Sequence, residues 1–92
     1  VRDNHAPTYY ELGRVLLAES KFKEAEDRLS RAVEGESDNV TYLLALSKAQ
    51  VKSEKYDIAL NGILKAVNID PRNSGAVFAA CNVYTKKKYF IL

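Results

Sequence analysis

Methionine is missing from this sequence, and histidine and cysteine occur once each, as His5 and Cys81. A lone cysteine cannot close an internal disulfide, so nothing points to a secreted disulfide scaffold. One histidine and one cysteine make no metal site without carboxylates, and Glu24 and Glu26 are not spaced to face one way. A His5–Cys81 nucleophile pair would need two remote residues brought together, which no helical spacing does. The plainer reading is a solvated His5 and a packed Cys81. The four glycines are scattered, so no phosphate-cradling loop is present. No apolar run approaches the ~20 residues a membrane-spanning helix needs. Val1 to His5 do not read as a signal peptide. These absences argue against an enzyme, a cofactor, a metal or a membrane protein, and lead us to expect an intracellular protein, cytoplasmic or nuclear. The lack of any methionine, at the start or elsewhere, suggests a piece of a longer protein.

What is present suffices for one small domain. Of the 92 residues, 47% are hydrophobic, enough to fill a core and to argue against wholesale disorder. Basic and acidic residues number 14 and 12, a net charge of +2, too balanced to announce a nucleic-acid or membrane-surface binder. The one charge run, Lys86-Lys87-Lys88, could touch phosphate, but reads more plainly as a solvated helix end whose cations suit the macrodipole. Asn39-Val40-Thr41 matches a glycan acceptor, yet Asn39 reads better as a helix cap.

Apolar spacing predicts five helices. Pro7 suits a first turn, and Tyr9, Leu12, Val15 and Leu16 give an apolar face to about Glu19. Gly13 inside that helix suggests close helix contact. After a turn and cap at Ser20, a second helix runs from about Phe22 to Glu34, with Gly35 suited to a left-handed cap. A third follows the polar turn Ser37-Asp38-Asn39, from Val40 to Lys52, with Leu43, Leu46 and Ala49 on one face. Ser53-Glu54-Lys55 breaks it. The fourth, from Tyr56 to about Ile69, carries Ala59, Ile63, Ala66 and Val67 and stops at Asp70-Pro71. The fifth runs from about Gly75 to Lys87 with Val77, Ala80 and Tyr84. Phe90-Ile91-Leu92 begins something further.

The pattern repeats every 34 positions. Ala25, Leu29, Ala32 and Val33 are answered by Ala59, Ile63, Ala66 and Val67. Four further series have three members each: Tyr9, Leu43 and Val77; Leu12, Leu46 and Ala80; the small residues Gly13, Ser47 and Cys81; and the aromatics Phe22, Tyr56 and Phe90. A fixed period of this size marks a helical repeat protein.

The period, the Leu12-Gly13 pair, the spacings Phe22…Ala25 and Tyr56…Ala59, the later Ala32 and Ala66, and the turn residue Pro71 together resemble the tetratricopeptide repeat. The repeats would span residues 6–39 and 40–73, with a half repeat over 74–92. Ser37 departs from the usual turn proline, Gln50 from a common aromatic, and Ser47 and Cys81 from glycine. Pentatricopeptide and Sel1-type repeats are close cousins. The resemblance implies an all-α, right-handed superhelix whose first helices line a concave groove that binds partners. It places Tyr10, Arg14 and Leu17, then Thr41, Leu44, Lys48 and Val51, then Gly75, Phe78, Asn82 and Thr85 on that groove. An apolar row, Tyr10–Leu44–Phe78, would lie beside a polar row, Arg14–Lys48–Asn82, and would suit an amphipathic or acidic segment. Some relatives clamp the carboxylate tail of heat-shock chaperones. The equivalent residues here are Tyr10, Arg14, Ala45, Gly75 and Ala79, of which only Arg14 could serve, so chaperone-tail binding is not expected. The fifth helix would lack a second helix to cover it, leaving Val77, Ala80, Cys81, Tyr84, Phe90, Ile91 and Leu92 partly open. Self-association through Tyr84, Phe90, Ile91 and Leu92 is therefore an alternative, and RNA binding through Arg14, Lys48 and the terminal lysines a weaker one.

Overall fold

The computed structural model describes residues 5–91, with side chains through Lys87. The described residues form five α-helices and no strands: α1 (Ala6–Ala18), α2 (Phe22–Gly35), α3 (Val40–Lys52), α4 (Tyr56–Ile69) and α5 (Ser74–Ile91). Pro7 sits in the first turn of α1, where its missing N–H leaves nothing unsatisfied.

Two kinds of turn alternate. At the end of α1 the Ser20 N–H donates to the Leu17 carbonyl at 3.0 Å and the Lys21 N–H to the Leu16 carbonyl at 2.9 Å. At the end of α3, Glu54 donates to Val51 at 3.0 Å and Lys55 to Gln50 at 2.8 Å. Both are Schellman motifs, which need a left-handed residue. Ser20 at φ 61° and Glu54 at φ 63° supply it. Ser20 thus closes α1, and Lys21 stands at the cap position of α2 without a side-chain bond. The other turns end in an asparagine cap. Asn39 Oδ1 accepts from the Tyr42 N–H, and Asn73 Oδ1 from the Ala76 N–H, both at 3.1 Å. Each asparagine covers an orphan donor at a helix start. Gly35 departs from the sequence expectation. It ends α2 without a positive φ, because the chain leaves the helix through an extended Glu36 at φ −139°.

Each helix packs on its neighbours in sequence. In addition α1 touches α3 and α3 touches α5, with no other helix pairs in contact among the described residues. Four buried clusters result, and they echo one another. Ala6, Ala32 and Tyr42 form one, and Leu43, Ala66 and Ala76 another, so that Ala32 and Tyr42 give way to Ala66 and Ala76, 34 positions on. Ala25, Leu29 and Ala49 form a third, and Leu60, Ile63 and Val83 the fourth, with Leu29 and Ala49 giving way to Ile63 and Val83. The expected close contact at Gly13 is present: a Cβ there would lie 2.4 Å from Leu29 Cγ. Its counterpart Ser47 is buried, with its hydroxyl donating to the Leu43 carbonyl at 2.9 Å.

The two ends depart from the expected burial for one reason. Ala49 and Val83 are fully buried against α2 and α4, but their counterpart Val15 is 54% exposed, and Leu12 is exposed beside it. Among the described residues no helix packs on that side of α1. On α5 the buried residues among those described are Ala76 and Val83, which face α4, while Val77 and Tyr84 are exposed. Cys81 is exposed rather than packed, since no partner helix covers α5 as α2 covers Gly13. Helix α5 also runs on through Phe90. Phe22 and Tyr56 open helices, but Phe90 lies inside one, and no new element begins there. Lys88, the counterpart of Ser20 and Glu54, stays helical and forms no left-handed turn. The lysine run lies within α5, and only Lys88 reaches its last turn, so the macrodipole argument is confined to that residue. Lys87 is ion-paired with Asp57.

Candidate functional site

Helices α1, α3 and α5 form one continuous face, and two clefts open on it. Leu44, Lys48, Val51 and Lys52 recur on α3 at three- and four-residue intervals, which places them on one stripe. Gly75, Phe78, Ala79, Asn82 and Lys86 make the matching stripe on α5. Between the stripes lies a cleft of about 440 Å³ that also reaches Ser47, Val83 and Ile63 of α4. A smaller cleft of about 240 Å³ lies between α1 and α3, lined by Arg14, Leu17, Ala18, Phe22, Lys48 and Lys52. Lys48 and Lys52 belong to both.

The larger cleft gathers Leu44, Lys48, Val51, Gly75, Phe78 and Asn82 from the residues the sequence placed on the groove. The smaller one gathers Arg14 and Leu17. Tyr10 lines neither cleft. Its ring stacks at 4.9 Å on Tyr42, and the Arg14 guanidinium lies 5.7 Å from its centroid. Thr41 is exposed and lines neither. Thr85 also lines neither and donates its hydroxyl to the Cys81 carbonyl at 3.0 Å. The row Tyr10–Leu44–Phe78 is graded: Tyr10 and Leu44 are half-buried, whereas Phe78 is 74% exposed. Tyr10 is covered by Tyr42 of α3, and Leu44 packs into the clusters that join α3 to α4 and α5. No described helix follows to cover Phe78.

Sequence reasoning did not place Lys52, Lys86 or Phe22 on the groove, although it named Lys86 within the lysine run. A legible signal existed for the two lysines, since each lies one helical turn beyond a named residue, Lys48 or Asn82. Of the residues expected to mediate self-association, Tyr84 is 52% exposed. The side chains of Phe90 and Ile91, and all of Leu92, lie outside the described residues.

No aspartate or glutamate lines either cleft. Lys48, Lys52 and Lys86 take part in none of the ion pairs among the described residues. Arg14 is paired with Glu11 at 3.0 Å, with both side chains more than half exposed. Beneath this face burial raises the Tyr42 phenol above its ordinary pKa, and Glu36, Tyr10 and Glu11 add to the effect. Helices α1 and α5 do not touch, so His5, before the first, and Cys81, within the other, belong to separate regions. Among the described residues no group of three or more His, Cys, Asp or Glu is placed to hold a metal ion, and no helix is long and apolar enough to cross a membrane. Neither the models of known families nor the curated proteins give a match to this chain.

Proposed function

We propose that this chain is a tetratricopeptide-like helical repeat that works without catalysis, capturing a peptide or helix of a partner protein on the face of α1, α3 and α5. The repeat reading is supported by the buried clusters that recur at the sequence period, by the paired Schellman turns and by the paired asparagine caps. The binding reading rests chiefly on one observation: Phe78, 74% exposed, stands at the lip of a 440 Å³ cleft with Leu44 and Val51 on the facing helix. A large aromatic left open beside an apolar cleft is the usual anchor of an interface.

A random peptide library displayed on phage tests this. Selected peptides are synthesised with a fluorophore and titrated against the native chain and a Phe78→Glu variant. Phe78 is a suitable probe because its exposure spares the fold, whereas Leu44 is half-buried and packs against the core. Retention by the native chain and loss in the variant support the reading. Equal binding by both removes the cleft from consideration.

A second reading, self-association through α5, draws on the exposed Val77 and Tyr84. It requires a mass that falls on dilution in sedimentation equilibrium, and a Tyr84→Glu variant that stays monomeric. RNA binding draws support only from the cations and requires a steep loss of affinity with salt.

A further inference from the structure

The two clefts differ in chemistry, and that difference specifies an occupant. We infer that the face takes a segment with a bulky apolar side chain at one end and carboxylates at the other, the apolar end over Phe78 and the acidic end over Lys48, Lys52 and Arg14. This rests on the proposed reading of the face as a partner-binding surface.

The argument is one of complementarity. On the α5 side the lining is mostly apolar, with Leu44, Val51, Ile63, Phe78, Ala79 and Val83, and Lys86 is the only cation there that the other cleft does not share. On the α1 side three of the six lining residues are cationic, Arg14, Lys48 and Lys52. Lys48 and Lys52 are the junction, since both clefts share them. Neither has an ion-pair partner among the described residues, and no carboxylate lines either cleft. Arg14 lies over the Tyr10 ring and is ion-paired with the exposed Glu11, a pairing weak enough for an incoming carboxylate to replace. A uniformly apolar ligand would leave this end of the face unused. A polyanion such as RNA would engage the same cations and stack a base on Phe78; it is the alternative occupant, and an oligouridine probe separates the two. Charge placed this way sets the direction in which a segment lies and which segments are rejected.

The test uses the full chain and the displayed peptide library, with Lys48→Glu/Lys52→Glu as the decisive variant. Both lysines are exposed, so charge reversal leaves the core untouched. The expected result has three parts. Peptides selected on the native chain carry Asp or Glu to one side of a Phe, Leu or Trp. Their affinity falls about tenfold or more in the lysine variant. Replacing the peptide's acidic residues by lysine restores binding to that variant. Peptides without acidic bias, or with affinity unchanged by the lysine variant yet lost in Phe78→Glu, overturn the inference and leave the face standing. Peptides held equally by Phe78→Glu overturn both, as does a library that yields no binder. An oligouridine probe that binds the native chain and is lost only in the lysine variant replaces the acidic peptide with RNA and also overturns the inference.

Discussion

Among the described residues, α1 and α3 are each followed by a helix that packs back on them, and α5 is not. The same sequence positions consequently meet different fates. Gly13 is pressed against Leu29 and Ser47 is sealed beneath α4, while Cys81, the third of the series, faces solvent. Tyr10 and Leu44 are half-covered, and Phe78 is open. A repeat sequence encodes a surface ready to be covered, and coverage depends on the neighbour. The open α5 surface is also where the larger cleft lies.

Substitutions that hit the covered positions and spare the uncovered ones sharpen this contrast. Leu29 is completely buried, and Leu29→Ala is expected to cost about 2–5 kcal/mol through lost transfer energy and a cavity. Phe78→Ala, although it removes more atoms, is expected to stay within about 0.5 kcal/mol. Urea midpoints at constant slope measure both, and comparable losses would break the distinction. Gly13→Ala comes next. It regains about 1 kcal/mol of helix propensity but drives a methyl into Leu29, at an overpacking cost of about 1–3 kcal/mol. The expected result is a net loss of about 1 kcal/mol, against almost none for Cys81→Ala.

The asparagine caps make the complementary test, because they serve a covered and an uncovered helix alike. Asn39→Ala and Asn73→Ala should each cost about 1 kcal/mol. A much smaller loss at Asn73 in thermal melts would mean that the start of α5 contributes little to the cooperative unit. The smallest effect is expected at Tyr42. Its raised pKa means that the folded state favours the neutral phenol. The contribution is complete below the ordinary value of about 10 and is lost as pH rises through the higher folded-state pKa, because the unfolded chain ionises first. Tyr42→Phe should flatten the decline in stability between about pH 9 and about pH 11.

Much of the helical layout was legible. Boundaries at Phe22, Val40, Lys52, Tyr56 and Ile69 follow from apolar periodicity and turn residues, and Asn39 was readable as a cap from its place before an apolar run. The left-handed Ser20 and Glu54 were not readable as such, since neither residue type favours that conformation. They adopt it because the hairpin partner must fold back at that point. Lys88 stays within α5. Of the candidate face, Leu44, Lys48, Val51, Phe78 and Asn82 are placed through the resemblance to the tetratricopeptide repeat, and all five line the larger cleft. The contact between Tyr10 and Tyr42 could not be read from the sequence, since it depends on how α3 lies against α1.

By itself, then, the sequence determined which stretches are helical, where two of them must approach closely, and that the pattern recurs every 34 residues. These follow from local rules, because side-chain size, spacing and turn chemistry act within a few residues of where they are written. Only the tertiary structure decided which copies of a repeated position are buried, that Lys48 and Lys52 join two clefts, and that Phe78 stands open beside the larger one. Those outcomes depend on what each helix meets across space, and identical spacing yields core or surface according to whether a neighbour is there to exclude water.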